Sequence, residues 1–401
     1  MKKALVSIHP LKSRTTNDWL LYDNTPVGPN WDVLVCVVAL LAIGAVMVFS
    51  ATTAFAESPR FSVESTTYLV RHLSSIGFAT VCALVVYRIP MSFWFRWSVP
   101  IGVLAVLVLV AVFIPGFGKS VNGARRWITL GFMNLQVSEM VKVAALIFTA
   151  AFTVKKQDYM HSFLSGFFPM AAVMLLLSFL LIQQPDLGAT VVIAAEIMGI
   201  LFLGGLSINI FLAVLVIVSA FVAWMIYATP WRLGRFLAYL DPWSEEYVLG
   251  QAYQLSHSLI AFGRGELFGV GLGGSVEKLN YLPEAHTDFI MAVIAEETGF
   301  VGVILVLFLF YWLIRRAFEI GRQSIKLERP FQGLLAQGVG LWFGVQVIIN
   351  VGVASGAFPT KGLTLPFVSF GGSALLSGLV AVALLLRVDK ENKILMRGGQ
   401  V

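Results

Sequence analysis

Charge is what this chain has least of. Asp, Glu, Lys and Arg make up 12% of its 401 residues against 58% hydrophobic ones, and the mean hydropathy is +0.84. A soluble surface cannot be covered with so few charges, so the solvent is a bilayer. Period-two alternation is missing too, which excludes a transmembrane barrel and leaves helices, whose backbone groups are satisfied within lipid. Cysteine is limited to Cys36 and Cys82, both inside apolar runs. That excludes a disulfide framework and a Cys-ligated metal site. No second His or Cys stands at ligand spacing from His286. The net charge of +6 is scattered among the apolar runs without a dense basic tail, which excludes nucleic acid as a partner.

What is present is a succession of apolar runs of spanning length. They predict spans at 31–51, 67–88, 95–114, 136–154, 163–182, 187–204, 207–228, 288–314, 333–355 and 366–387. The expected fold is an all-α polytopic membrane protein of about ten transmembrane helices, with a large periplasmic loop, 229–287, between spans seven and eight. Residues 1–30, with Lys2, Lys3, Lys12 and Arg14, read as a cytoplasmic tail, 31–387 as one membrane domain and 388–401 as a second cytoplasmic tail. Ala54-Phe55-Ala56 has the look of a cleavage site, but the long polar region before a full-length apolar run favours an uncleaved anchor. With both termini inside, about 17 of the 28 Lys and Arg face the cytoplasm, the bias that membrane insertion favours. Lys119, Arg125, Arg126, Arg232, Arg235 and Lys361 are exceptions in outward loops. They meet something anionic there, either phospholipid head groups or a substrate.

The loop 229–287 is too long for an idle connection. It contains a helix-like stretch, Gln251–Ala261, and reads as a segment packed over the outer mouth of the bundle. It ends in Pro283-Glu284-Ala285-His286-Thr287-Asp288-Phe289, which runs straight into an apolar helix. Thr287 or Asp288 either caps that helix or, for Asp288, does chemistry at the outer interface. Glu296 and Glu297 follow about 12 Å deeper. Nine positions put Asp288 and Glu297 on opposite faces, so this helix alone does not build a paired-carboxylate site. Glu139 and Lys142 lie three apart at the start of another span, as a structural ion pair or as part of a substrate cavity. Arg125 and Arg126 precede Trp127 and offer bidentate phosphate contacts. Asp186 in Gln184-Pro185-Asp186 is placed to cap a helix. Gly269–Gly274 satisfies a dinucleotide-binding pattern, but no βαβ unit surrounds it, which excludes that site. Pro359 through Ser373, rich in Pro and paired Gly, predicts a broken or re-entrant segment that points Lys361 into a cavity.

Together these segments resemble the SEDS family of cell-wall glycosyltransferases, from the first span to the last. The resemblance is carried by Arg125-Arg126-Trp127, Ser138-Glu139 with Lys142, Gln184-Pro185-Asp186, the Gly-rich 263–274, Pro283 to Phe289, and Lys361-Gly362 through Ser373. The 283–289 variant is more similar to the division branch than to the elongation branch. The resemblance implies polymerisation of lipid II, the polyprenyl-diphosphate-linked disaccharide-peptide, into glycan strands at the outer face of the cytoplasmic membrane. It implies an FtsI-like class B penicillin-binding protein as transpeptidase partner, other division proteins around it, and location at the septum.

The family's essential aspartate falls on Asp288, and the expected substrate-binding set is Arg125, Arg126, Glu139, Lys142, Lys361, His286 and Ser369. The donor sugar is α-linked and the product β-1,4-linked, so the transfer inverts in a single displacement. One carboxylate base suffices, because the diphosphate leaves without a proton but needs positive charge around it. Asp288 is then that base or, alternatively, a ligand to a Mg or Mn ion bridging the diphosphate. A lipid II flippase is the rival reading; no inverted repeat between 31–204 and 207–387 supports it. A scaffold that only recruits the transpeptidase leaves Asp288, Glu139 and Lys142 without a role.

Overall fold

The computed structural model describes residues 28–56, 65–121, 124–129 and 134–400, so most of the tail at 1–30 lies outside it. Among the described residues ten apolar helices appear in the predicted order, seven of full spanning length and three shorter. They are α1 (Trp31–Ala56), α2 (Ser65–Arg88), a short α3 (Met91–Arg96) leading into α4 (Ser98–Ala111), α5 (Val137–Lys155), α6 (Phe168–Gln183), α7 (Leu187–Leu203), α8 (Ile208–Tyr227), then, after the long loop, α11 (Ile290–Lys326), α12 (Pro330–Ala354) and α13 (Gly372–Met396). The loop itself supplies α9 (Pro230–Leu240) and α10 (Tyr253–Gly265), the latter near the predicted helix-like stretch.

Three boundaries differ from the sequence reading. The span at 95–114 is split at Trp97, whose φ of −89° and ψ of 6° end α3 and start α4. The span at 288–314 runs on to Lys326, because no Pro or turn signal follows it. The span at 366–387 begins only at Gly372, since 366–371 is irregular, and continues to Met396. Residues 388–396 are therefore helix. Asp389, Glu391 and Asn392 are buried there, and Asp389 accepts from Asn30 Nδ2 at 2.9 Å.

A three-stranded antiparallel sheet was not legible. It comprises β1 (Gly118–Val121), β2 (Ala124–Thr129) and β3 (Asn134–Gln136) and sits in the connection between α4 and α5. Its last strand is tied to the start of α13, where Ser373 Oγ accepts from Gln136 N at 2.8 Å.

Among the spans, α5, α12 and α13 are enclosed, whereas α2 is largely open and α8 has no buried residue among those described. The enclosed α5 buries Ser138, Glu139, Lys142, Thr149 and Thr153, polar groups that lipid would not tolerate. The long α11 is broken at Gly299, where φ is 69° and ψ is −167°. Against this break lies the glycine-rich loop, with Gly269 itself at φ 79°. Val270 N and Gly271 N donate to the carbonyls of Glu296 and Glu297, at 2.9 and 3.0 Å, and Phe300 N and Val301 N donate to Glu266 O and Leu267 O, at 2.9 and 3.1 Å. A β-carbon at Gly269 would run into the Glu297 backbone, so the glycines serve a backbone crossing and not a nucleotide.

The carboxylates just above the break clamp the same loop. Glu297 accepts from Lys278 Nζ (2.7 Å) and Ser50 Oγ (2.6 Å), and Glu296 accepts from Ser275 Oγ, Val276 N and Arg264.

Candidate active site

Asp288 occupies a turn two residues before α11. The N-cap of that helix is Phe289 with no side-chain bond, and Thr287 Oγ1 donates to Glu284, so neither Thr287 nor Asp288 caps it. Three successive carbonyls fix the turn from outside. His286 O accepts from Phe370 N at 2.9 Å, Thr287 O from Ser369 Oγ at 2.6 Å, and Asp288 O from Asn350 Nδ2 at 2.9 Å. Asn350 also donates to Leu363 O at 2.6 Å, and Gln346, one turn earlier on α12, donates to Thr364 O at 2.8 Å. The re-entrant segment 359–371 is thus held by two amides of α12 and in turn holds Asp288.

The Asp288 side chain is left over from this scheme: among the described residues none hydrogen-bonds its carboxylate. It faces a cavity of about 510 Å³ together with Arg126, Asp186, Arg232, Arg235, Gln254, Thr360, Lys361 and Gly362. Burial, reinforced by Glu284 and Asp186 and opposed by Arg126, pushes the Asp288 carboxyl up to about 7. Asp186 is already committed: it caps α7 by accepting from Ala189 N at 3.1 Å and also accepts from Ser138 and Gln136. Burial, with Arg235 and Arg232 nearby, holds the Lys361 ammonium below the usual lysine range. A cavity with one uncommitted carboxyl of near-neutral pKa and four cationic side chains suits general-base chemistry on an anionic substrate.

Comparison with known proteins gives this geometry a family. Residues 31–394 match the FtsW/RodA/SpoVE family model, described as cell cycle protein. The chain belongs to this family. It is 55% identical over 365 residues to a protein of Burkholderia thailandensis named "Probable peptidoglycan glycosyltransferase FtsW", covering 91% of this chain and 79% of that one. It is 52% identical over 402 residues to the protein of the same name from Polynucleobacter necessarius subsp. necessarius, covering 100% and 92%. In structure it resembles a chain from work on the coordination of polymerization and crosslinking by a peptidoglycan synthase complex, with TM-score 0.73, 26% identity and coverage of 92% and 99%. It also resembles the rod shape determining protein RodA of Thermus thermophilus, with TM-score 0.64, 25% identity and coverage of 91% and 98%. The SEDS-like multi-pass architecture read from the sequence is the one observed.

Of the residues singled out in the sequence, the structure brings Asp288, Arg126 and Lys361 to one cavity. Arg125, the neighbour of Arg126 on β2, is exposed and does not line the cavity; the pairing with β1 slips between them, Ser120 facing Arg125 and Lys119 facing Trp127. Glu139 and Lys142 form a buried ion pair of 2.7 Å that does not line the cavity. Lys142 also donates to Gln346 Oε1 (3.1 Å), and Glu139 accepts from Ser377 (2.8 Å), so the pair supports the amide that holds the re-entrant segment. The buried Glu196 on α7 faces the same ammonium, with both carboxyl oxygens free of hydrogen bonds.

His286 packs its ring against Tyr68 and Phe370, with centroids 5.8 and 5.7 Å away, and burial holds its pKa down. Ser369 is buried, donating to Thr287 O and accepting from Leu365 N at 2.7 Å. Both shape the Asp288 turn. The sequence reading does not single out Asn350 and Gln346; the available signal is a row of four amides, Gln332, Gln337, Gln346 and Asn350, in a helix without charges. Arg232 and Arg235 were noticed only as outward charges.

Proposed function

We propose that this chain, a peptidoglycan glycosyltransferase of the FtsW type, polymerises lipid II into β-1,4 glycan strands by inverting transfer at the outer face of the cytoplasmic membrane. Asp288 is the general base that takes the proton of the acceptor hydroxyl. The observation that carries this reading is the uncommitted Asp288 carboxyl in a cavity lined also by Arg126, Arg232, Arg235 and Lys361. A base must be free to accept a proton and near neutral in pKa, and the leaving diphosphate needs positive charge without an acid.

The side chains do not fit a resident Mg or Mn ion. Among the described residues no three carboxylates, His or Cys cluster, and Asp186 spends both oxygens on other donors. A bound cation would draw most of its ligands from the diphosphate itself.

Location at the division septum, both termini in the cytoplasm, an FtsI-like class B penicillin-binding protein as partner and further division proteins complete the proposal. The FtsW-named relatives and the likeness to a peptidoglycan synthase complex support these parts.

The test is polymerisation of purified lipid II by the chain together with its transpeptidase partner, native against Asp288→Asn, with folding and partner binding checked for both. The expected outcome is polymer from the native complex and none from the variant. Equal polymer from both overturns the role of Asp288, and none from either returns weight to lipid II transport.

A further inference from the structure

The glycine-rich loop clamped at the break in α11 turns an apolar edge outward. Residues 267–274 carry no charge and no polar side-chain atom. Among the described residues nothing covers Leu267, Phe268 and Leu272, which are 60, 78 and 67% exposed. Apolar surface gathered in this way is unfavourable in water and marks contact with another apolar phase.

The depth of the loop follows from the helices to which it is tied. At the far end of the apolar stretch of α11, Arg315 and Arg316 pair with Glu319 and with Asp32 at the start of α1. The uncharged stretch above them, 298–314, is about 25 Å long at 1.5 Å per residue. A hydrocarbon core is about 30 Å thick, so it reaches past Gly299 to the level of Glu296 and Glu297, where the loop is bonded. The first helix gives the same level independently. Ser50 stands about 27 Å along α1 from Asp32, and its Oγ donates to Glu297 at 2.6 Å.

Irregular backbone at that depth must satisfy its polar groups within the protein. Besides the four bonds across the break, Gly269 N donates to Gly265 O at 2.7 Å, Gly274 N to Gly271 O at 3.0 Å, and Lys278 Nζ to Gly273 O at 2.8 Å. Glu296, Glu297 and Lys278 are themselves buried at this level. Continuity completes the case. Glu266 O and Leu267 O accept from Phe300 N and Val301 N, and Phe300, Val301, Ile304, Leu305 and Phe308 form the exposed stripe of this membrane span. Leu267 and Phe268 therefore begin where the lipid-facing stripe ends.

We propose that 267–272 is a membrane foot: Leu267, Phe268 and Leu272 are immersed among the acyl chains of the leaflet on the Asp288 side of the bilayer. The foot is a loop whose glycines bring its backbone against α11 while its large side chains enter lipid. A protein partner would be met by a rim of hydrogen-bonding groups, whereas these side chains have none to offer and the loop backbone bonds inward. Because the loop also clamps the outer end of α11, the foot sets the height of the Asp288 turn above the acyl chains.

The test uses the full chain in phosphatidylcholine nanodiscs, alone and with its transpeptidase partner. In a background of Cys36→Ala and Cys82→Ala, a fluorophore is placed by Phe268→Cys or Leu272→Cys. It is compared with Phe308→Cys on the lipid-facing stripe and with Leu249→Cys in the outward loop, where the native side chain is 85% exposed. A nitroxide on the acyl chain should quench the label at 268 and at 272 as it does at 308, and iodide quenching should be lost relative to 249. Iodide quenching equal to that at 249, without nitroxide quenching, overturns the proposal and puts the loop in water. Loss of nitroxide quenching when the partner is added overturns it too, and makes the patch a protein interface. The native chain provides a check that no substitution can disturb: a phospholipid with a diazirine in its acyl chain should photolabel the peptide spanning 267–274, and absence of that label counts against the foot.

Discussion

Gly362 lies so close to Asp288 that a β-carbon at position 362 would stand 2.8 Å from Oδ2. The segment that presents Lys361 to the cavity thus also forms the wall against which the carboxylate rests. Gly362→Ala should push the carboxylate aside, and displacement of a base by even an ångström slows reaction by about a hundredfold. Polymerisation should fall on that scale while thermal unfolding stays near native. Full activity in the variant would show that the contact does not position the base.

The raised pKa of Asp288 gives two pH effects of known sign. As a base it must be ionised, so the polymerisation rate should climb as pH rises through about 7. For stability, the folded pKa lies above the ordinary aspartate value of 3.8, so the favourable contribution is complete below that value and is lost as pH rises through about 7. Asp288→Asn should therefore melt higher than the native chain at pH 8 and lose this advantage at acid pH. A variant no more stable at pH 8 would show that burial does not strain the carboxylate.

The buried Glu139–Lys142 pair predicts strong non-additivity. Lys142→Met strands Glu139 out of water and should destabilise by about 3–5 kcal/mol, whereas Glu139→Gln with Lys142→Met should recover much of that loss. Glu196→Gln, which removes a carboxyl without hydrogen bonds, should be neutral or stabilising. Denaturation of the detergent-purified chains decides; additive losses would mean that the pair is not coupled.

Asn350→Ala removes the donor shared by Asp288 O and Leu363 O. Leaving two buried carbonyls unmet should destabilise by about 1–3 kcal/mol for each group. Because Asn350 acts through backbone, turnover should drop with little change in undecaprenyl diphosphate affinity. An equal loss of affinity would place Asn350 in contact with substrate.

Much of the fold was legible because lipid imposes a coarse rule: an apolar run of spanning length is a helix, and seven of the ten spans required nothing finer. Boundaries failed where the rule is silent. The break at Trp97 follows from Pro100, which cannot donate to the carbonyl of Arg96 and so starts a new helix, and Lys326 lies far past the apolar stretch of its helix. The sheet at 118–136 is built of short, mixed strands that carry little periodicity. At the site, Asp288 and Lys361 were legible because a charge at a membrane edge demands a reason. The distinction between Arg125 and Arg126 was not, since it depends on strand register. The functions of Ser369 and Asn350 were hidden too, because both act on backbone carbonyls that sequence cannot locate.

The break at Gly299 has a mechanical consequence. The outer nine residues of α11 end in bonds to the 266–271 loop and not in the uninterrupted shaft below. Peeling the loop away and straightening the helix are therefore one event. The amides of Val270, Gly271, Phe300 and Val301 should exchange with solvent deuterium at a common rate, as a single cooperative unit of opening that carries the Asp288 turn at its tip.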